Sequence, residues 1–210
     1  MKTSVIIPVK SFQKSKTRLQ LSEEKTKKLC RLLLEEVIKT VSESELIDKI
    51  VVVTDEDEIL DIIKKYDCKK IKDEYETSVN NAVNLAEEYL IKNEFTHSIV
   101  LPLDVPFFYS EDLEKLLNFS SEKSVLIVPS RHFDGTNALV RSPVNSMTPR
   151  YDEGSYSFHI ESARNDNVKI SIGLIYRLML DIDNKEDLEF VLKHNIKPKF
   201  CQEIKRIVEE

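Results

Sequence analysis

Four cations follow the first apolar segment of the chain before any acidic residue appears. The stretch VIIPVKSFQKSKTRL begins with the apolar residues 5–9 and then carries Lys10, Lys14, Lys16 and Arg18. The first acidic residue is Glu23, although the chain has a formal net charge of -6. A local excess of cations in an acidic protein indicates a site for an anionic ligand. In open α/β sheets such sites lie where the strands end.

A carboxylate comes directly after an apolar run that predicts a strand over 98–103. Asp104 stands in the sequence LPLDVP, and a carboxylate in this position is desolvated unless it has a partner. A hard divalent cation such as Mg²⁺ is one natural partner. The alternative is a helix or turn cap, since Ser110 and Asp112 follow.

A second pair of carboxylates stands in the sequence Asp181-Ile182-Asp183. The preceding apolar residues predict a strand over 178–182, and alternate side chains of a strand point to one face. Asp183 also begins an Asp-x-x-Glu spacing with Glu186, which is typical of the start of a helix. We therefore favour Asp181 as a metal ligand and Asp183 as a helix cap.

Two further motifs carry small polar residues that could hold a phosphate. They are DGTN, which contains Thr136, and GS, which contains Ser155 at the start of a predicted helix. A helix N-terminus with a hydroxyl can bind a phosphate, but the same residues also make ordinary turns and caps, so both interpretations stay open. His159 lies one turn beyond Ser155, and a single helical histidine is more often structural.

Composition excludes several common classes of site. The chain has only three glycines, Gly135, Gly154 and Gly173, and their spacing fits neither a GxxxxGK[ST] phosphate loop nor a GxGxxG dinucleotide motif. No HExxH motif or nucleophile elbow occurs, and the three cysteines match neither a disulfide framework nor a CxxC metal site. The acidic balance argues against nucleic acid as a partner. Transfer of a nucleotide onto a phosphate needs no general base, because the acceptor is already anionic.

The element pattern predicts one α/β domain over residues 1–210. Apolar runs predict strands over 5–9, 49–54, 98–103, 124–129, 137–140, 169–175 and 178–182. Helical spacing predicts helices over 29–41, 58–66, 79–92, 112–119, 155–165 and 185–194, and a solvated charged helix from Pro198 onward. Alternation of the two indicates a mostly parallel sheet with a mixed C-terminal edge. No apolar run is long enough for a membrane span, so we expect a cytoplasmic protein.

Taken together, the motifs resemble the 2-phospho-L-lactate guanylyltransferase family of coenzyme F420 biosynthesis. The resemblance rests on VIIPVKSFQKSKTRL, SVNNAVNLA, LPLDVPFF, DGTNALVRSP, GSYSFHIESA and LDIDNKEDL, in this order. It implies a three-layer nucleotidyltransferase fold related to GT-A glycosyltransferases, transfer of GMP from GTP with Mg²⁺, release of pyrophosphate, and a homodimer. It also implies roles for individual residues: Lys10, Lys16, Arg18 and Asn80 at GTP, Asp104 and Asp181 at the metal, and Thr136 and Ser155 at the acceptor phosphate.

The resemblance leaves the acceptor open between 2-phospho-L-lactate and phosphoenolpyruvate, which differ in the hybridisation of one carbon. Transfer to another phosphorylated acceptor and a non-catalytic nucleotide-binding protein of the same fold are the alternatives. Two departures from the family pattern stand beside the predicted site: Ser78, where the family often has Gly, and the acidic pair Asp152 and Glu153 before the serine motif.

Overall fold

Seven strands form one β-sheet in the computed structural model, which describes residues 1–12, 17–75, 78–119, 121–151 and 154–209. In chain order they are β1 (Thr3–Pro8), β2 (Lys49–Val53), β3 (Lys69–Ile71), β4 (His97–Val100), β5 (Ser124–Pro129), β6 (Thr136–Ser142) and β7 (Lys169–Ile172). Their order across the sheet is β3-β2-β1-β4-β6-β5-β7. Strand β6 is antiparallel to β4 and β5, and the other neighbouring pairs are parallel. The predicted mostly parallel sheet with a mixed edge is confirmed.

The central strands are apolar because both of their faces are covered. All six residues of β1 are buried, and Val5 of β1 lies between Ile50 of β2 and Ile99 of β4. Continuous Val and Ile runs are typical of parallel strands that lie inside a layered fold.

In the described part of the chain, seven α-helices cover the two faces of the sheet. They are α1 (Glu23–Ser42), α2 (Leu60–Lys65), α3 (Val79–Lys92), α4 (Ser110–Asn118), α5 (Ser155–Asn165), α6 (Lys185–His194) and α7 (Pro198–Glu209). The core on one face includes residues of α1, α2, α4, α6 and α7, and the core on the other face includes residues of α3 and α5. The three-layer arrangement expected from the resemblance is therefore present. Among the helices in the described ranges, none is both long and apolar enough to span a bilayer.

The C-terminal helix α7 is part of the core rather than a solvated cap, so that prediction was wrong. Phe200, Cys201 and Ile204 are buried, and the Lys25 ammonium of α1 donates to the carbonyl oxygen of Val208 at 3.0 Å. Apolar residues at positions 200, 204 and 208 recur at helical spacing. The high charge of the segment belongs to the opposite face of the same helix.

The predicted strand over 178–182 is also wrong. Strand β7 ends at Ile172, and a 3-10 helix spans Tyr176–Met179. Gly173 lies so close to β5 that an added Cβ would be 3.1 Å from Cδ2 of Leu126. Asp181 lies in the irregular segment that follows this 3-10 helix, so strand alternation does not place its side chain.

Candidate functional site

The two loops that carry the predicted metal ligands meet through their backbones. The amide of Ile182 donates to the carbonyl oxygen of Asp104 at 3.0 Å. Asp181 and Asp183 flank Ile182, so three carboxylates from two distant parts of the sequence share one region. The sequence predicted two of them, Asp104 and Asp181, as a pair, and the structure brings these two loops together.

Other carboxylates lie close to Asp181. Burial, together with the negative charges of Asp104 and Asp183, raises the pKa of Asp181 to about 7. The amide nitrogen of Asn137 donates to Oδ1 of Asp181 at 3.2 Å and favours the charged form. A carboxylate held among carboxylates in a partly buried position favours the binding of a cation.

The donor set suits a small hard cation that also binds substrate. Within residues 1–12, 17–75, 78–119, 121–151 and 154–209, no three His, Cys, Asp or Glu side chains are arranged as a complete metal site. Mg²⁺ usually takes only one or two carboxylates and completes its coordination with water and substrate phosphates. Asp104 and Asp181 fit that pattern.

Asp183 is not the cap of the following helix, which corrects the sequence prediction. Helix α6 begins after Asn184, whose Oδ1 accepts from the amide of Asp187 at 3.0 Å. The carboxylate of Asp187 in turn accepts from the amide of Asp183 at 3.2 Å. The capping pattern starts one residue later than predicted because Asn caps a helix as well as Asp does.

We expect Asp181→Asn to stabilise the protein at pH 8 in the presence of a chelator. The pKa of Asp181 is about 7 in the folded protein and about 3.9 when unfolded. The carboxyl group therefore favours the fold fully below pH about 4, and this contribution is lost as the pH rises through about 7. After allowance for solvent screening, the gain at pH 8 is about 1–3 kcal/mol.

Thermal unfolding at pH 5 and pH 8 measures this effect. The advantage of Asp181→Asn should shrink at pH 5, where much of the wild-type carboxyl is already protonated. Asp67→Asn is the matched control, because the side chain of Asp67 is 97% exposed. An equal gain from Asp181→Asn at both pH values would contradict the electrostatic explanation.

The predicted phosphate-binding residues Thr136 and Ser155 are in direct contact. The amide of Thr136 donates to Oγ of Ser155 at 2.9 Å, and Oγ1 of Thr136 lies 2.9 Å from Nδ1 of His159. All three side chains are buried. Thr136 precedes Asn137, which donates to Asp181, so these two neighbouring residues link this group to the carboxylates.

Helix α5 presents its N-terminus at this position. It is preceded by Gly154, which has a φ of 77°, a left-handed conformation that glycine adopts without strain. The turn lets Ser155 occupy the first helical position, where backbone amides have no partner within the helix. A hydroxyl pair beside a helix N-terminus is well suited to a phosphate.

Three of the four predicted GTP-binding residues, Lys10, Arg18 and Asn80, lie in the described part of the chain. Lys10 is exposed beside Ser78 and Val79 at the start of α3. Arg18 is exposed, whereas its neighbour Leu19 is 1% exposed and anchors the loop in the core. Lys16 lies outside the described residues, as do Lys14, Asp152 and Glu153.

Asn80 is hydrogen-bonded to the segment that precedes α5. Its Oδ1 accepts from the amide of Tyr151 at 2.7 Å. The amide of the preceding residue, Arg150, donates to Nε2 of His159 at 2.9 Å. Asn80, predicted at the nucleoside, and His159, which contacts Thr136, thus accept hydrogen bonds from two successive backbone amides. Sequence reasoning missed Arg150 and Tyr151 and included Asn137 only as part of the DGTN motif, because no local motif signals a contact between distant segments.

Comparison with known proteins finds similarity over nearly the whole chain. A family model described as "Guanylyl transferase CofC like" matches residues 3–208. The chain is 34% identical to the 2-phospho-L-lactate guanylyltransferase of Methanocaldococcus vulcanius, over 92% of this chain and 85% of that protein. It is 28% identical to the phosphoenolpyruvate guanylyltransferase of Conexibacter woesei, over 90% and 86%.

The fold is shared with solved nucleotidyltransferases. A nucleotidyl transferase from Methanothermobacter thermautotrophicus superposes with a TM-score of 0.68 at 12% identity, and the match covers 96% of this chain and 98% of that one. At this level of identity the likeness concerns the fold alone.

Proposed function

Because the chain belongs to the family of CofC-like guanylyl transferases, we propose that it moves GMP from GTP onto the phosphate of 2-phospho-L-lactate or of phosphoenolpyruvate in coenzyme F420 biosynthesis. Pyrophosphate is the second product. The predicted enzyme class, a nucleotidyltransferase, is confirmed by the family match and by relatives named for both acceptors. The observation that carries the proposal is a series of hydrogen bonds that connects the loops of Asp104 and Asp181, through Asn137, with Thr136 and Ser155.

In this reaction a phosphate oxygen of the acceptor attacks the α-phosphorus of GTP. The new P–O bond forms as the bond to the β-phosphate bridging oxygen breaks, and pyrophosphate leaves with the electron pair. The attacking oxygen carries no proton, so the enzyme needs no general base. Its task is to hold two anions together, which requires positive charge and hydrogen-bond donors.

The acceptor phosphate binds to the hydroxyl groups of Thr136 and Ser155 and to the first amides of α5. The contact between the two residues and the helix N-terminus support this placement. A phosphate dianion is stabilised by donors that are already fixed by the protein. It also brings the acceptor close to Asn137, which contacts Asp181.

Asp104 and Asp181 hold Mg²⁺ in this proposal. When bound, Mg²⁺ would offset the charge of the reacting phosphates. Support comes from the raised pKa of Asp181, which reflects burial and the two neighbouring carboxylates. Lys10, Lys16 and Arg18 bind the triphosphate of GTP, and Asn80 borders its nucleoside.

The wider proposal is a single domain over residues 1–210 that works in the cytoplasm as a homodimer. A single sheet and a C-terminal helix packed on α1 support the one-domain assignment. Leu174 and Tyr176, which are 65% and 50% exposed beside the edge strand β7, support contact with a second copy. The net charge of -6 supports small-molecule substrates rather than nucleic acid.

Pyrophosphate release by the purified protein tests the proposed reaction. GTP, ATP, CTP and UTP are each offered with 2-phospho-L-lactate, phosphoenolpyruvate or 3-phosphoglycerate in the presence of Mg²⁺. We expect release with GTP and one of the first two acceptors, and none when the acceptor is omitted. Release with another nucleotide or with 3-phosphoglycerate alone would change the assigned substrate. Silence throughout would favour a protein that binds nucleotide without turnover.

A further inference from the structure

His159 uses both of its ring nitrogens in fixed hydrogen bonds. The side chain is fully buried. Its Nε2 lies 2.9 Å from the backbone amide of Arg150, and its Nδ1 lies 2.9 Å from Oγ1 of Thr136. A backbone N–H can only donate, so Nε2 must accept and carries no proton. The proton of the neutral ring is therefore on Nδ1, which donates to Thr136.

The surroundings of His159 keep the ring neutral. Burial lowers its pKa to about 3, and the positive charges of Arg141 and Arg150 act in the same direction. The ring of Tyr151 packs against it edge to face, with the centroids 4.6 Å apart. The side chain thus has one tautomer across the physiological pH range, set by the segment Thr148–Tyr151, which we call the strap.

The strap is itself held at several points, so the tautomer does not depend on a single contact. The hydroxyl of Ser162 donates to the carbonyl oxygen of Thr148 at 2.7 Å, and the amide of Thr148 donates to Asp166 at 3.1 Å. At its other end, the amide of Tyr151 donates to Oδ1 of Asn80 at 2.7 Å. The amide of Arg150 is therefore presented to His159 by a segment anchored on both α3 and α5.

This arrangement determines what the hydroxyl groups of Thr136 and Ser155 can offer. Oγ1 of Thr136 accepts from His159, and Oγ of Ser155 accepts from the amide of Thr136 at 2.9 Å. Each hydroxyl receives one hydrogen bond from the protein and keeps its own hydrogen for another acceptor. With the other tautomer of His159, the hydroxyl of Thr136 would have to donate to Nδ1 and would turn oxygen lone pairs toward the ligand.

We propose that His159 is a positioning residue that makes the Thr136 hydroxyl a hydrogen-bond donor to the phosphate of the acceptor. The proposal rests on the proposed function, in which that phosphate binds between Thr136 and Ser155. A phosphate dianion presents only acceptor oxygens, so a hydroxyl that donates attracts it and one that presents lone pairs repels it. His159 does not touch the substrate and takes no part in proton transfer.

Two substitutions separate this role from a purely structural one. An Asn side chain reaches the position of Nδ1, so His159→Asn keeps a donor to Thr136 and loses the acceptor for Arg150. A Gln side chain reaches the position of Nε2, so His159→Gln keeps the acceptor for Arg150 and loses the donor to Thr136. Each variant loses one buried hydrogen bond, and we expect similar falls in melting temperature.

The steady-state constants of the two variants should differ for one substrate only. We expect His159→Gln to raise the KM for the acceptor by about tenfold or more, as for loss of a hydrogen bond to a charged group, with the KM for GTP unchanged. His159→Asn should stay within about threefold of wild type for both substrates. Equal acceptor KM values in the two variants would overturn the proposal.

The tautomer can be measured without turnover. The chain has four histidines, and the ¹⁵N resonances of the His159 ring are assigned by their absence in His159→Gln. We expect the proton on Nδ1 from pH 5 to pH 8. A proton on Nε2 overturns the proposal whatever the assay shows. A proton on Nδ1 in a protein that releases pyrophosphate with none of the acceptors removes the proposed function, and with it the role of His159.

Discussion

We expect Asp104→Asn to lower kcat by about 10³-fold while leaving the protein folded. A carboxylate that holds a catalytic cation contributes several kcal/mol to the stabilisation of charge in the transition state, and about 1.4 kcal/mol corresponds to a factor of ten. The hydrogen bond between the two loops uses the backbone carbonyl of Asp104. The substitution therefore removes a charge and keeps the hydrogen bond to Ile182.

The measurement is pyrophosphate release as a function of Mg²⁺ concentration, with thermal unfolding to confirm the fold. Asp67→Asn serves as the control for loss of one carboxylate at an exposed position. Asp183→Asn is the more demanding comparison, because Asp183 belongs to the same group of carboxylates. If Asp104→Asn retained a near-normal rate, or if Asp183→Asn lowered kcat more than Asp181→Asn did, the assigned metal ligands would be wrong.

Local patterns in the sequence predicted much of the layered fold. Helices α3, α5 and α6 begin and end where the spacing of apolar residues placed them. Strand β5 also has its predicted bounds. Strand β3 was missed because its three residues include two lysines, so that nothing in its composition marks it as a strand. Its pairing with β2 is a tertiary effect that overrides local preference.

The candidate site was predicted in its parts but not in its connections. Asp104 and Asp181 were selected for their positions after apolar runs, although the run before Asp181 is not a strand. The hydrogen bond from Asn137 to Asp181 spans 44 residues. Contacts of this kind depend on how distant segments pack together in the fold. The residue type of Asn137 gives no indication of its partner.

The proposed role of His159 also depends on a contact that the sequence does not indicate. A single buried histidine on a helix is typical of a structural residue, and no sequence motif assigns His159 a chemical step. The structure supplies the missing information, because the amide of Arg150 determines which ring nitrogen carries the proton. Every residue except proline has a backbone N–H, so residue types do not show which one donates.

We expect Arg18→Ala to raise the KM for GTP by about 10- to 100-fold and to leave the KM for the acceptor unchanged. An arginine can bind phosphate oxygens with two parallel hydrogen bonds, and a hydrogen bond to a charged group contributes about 1.5–3 kcal/mol. Arg18 is exposed, while Phe12 and Leu19 are each 1% exposed and lie in the core. The substitution should therefore change the charge of the loop and not its attachment.

Arg206→Ala is the matched control, because Arg206 is an exposed arginine on helix α7. Arg18→Lys keeps the positive charge and loses the paired geometry, so we expect a KM for GTP between those of wild type and Arg18→Ala. The dependence of rate on GTP is measured at saturating acceptor, and the reverse experiment at saturating GTP. If Arg18→Ala changed the two KM values equally, the residue would act on the site as a whole and not on the triphosphate. The assignment of the GTP triphosphate to the cation-rich loop would then be wrong.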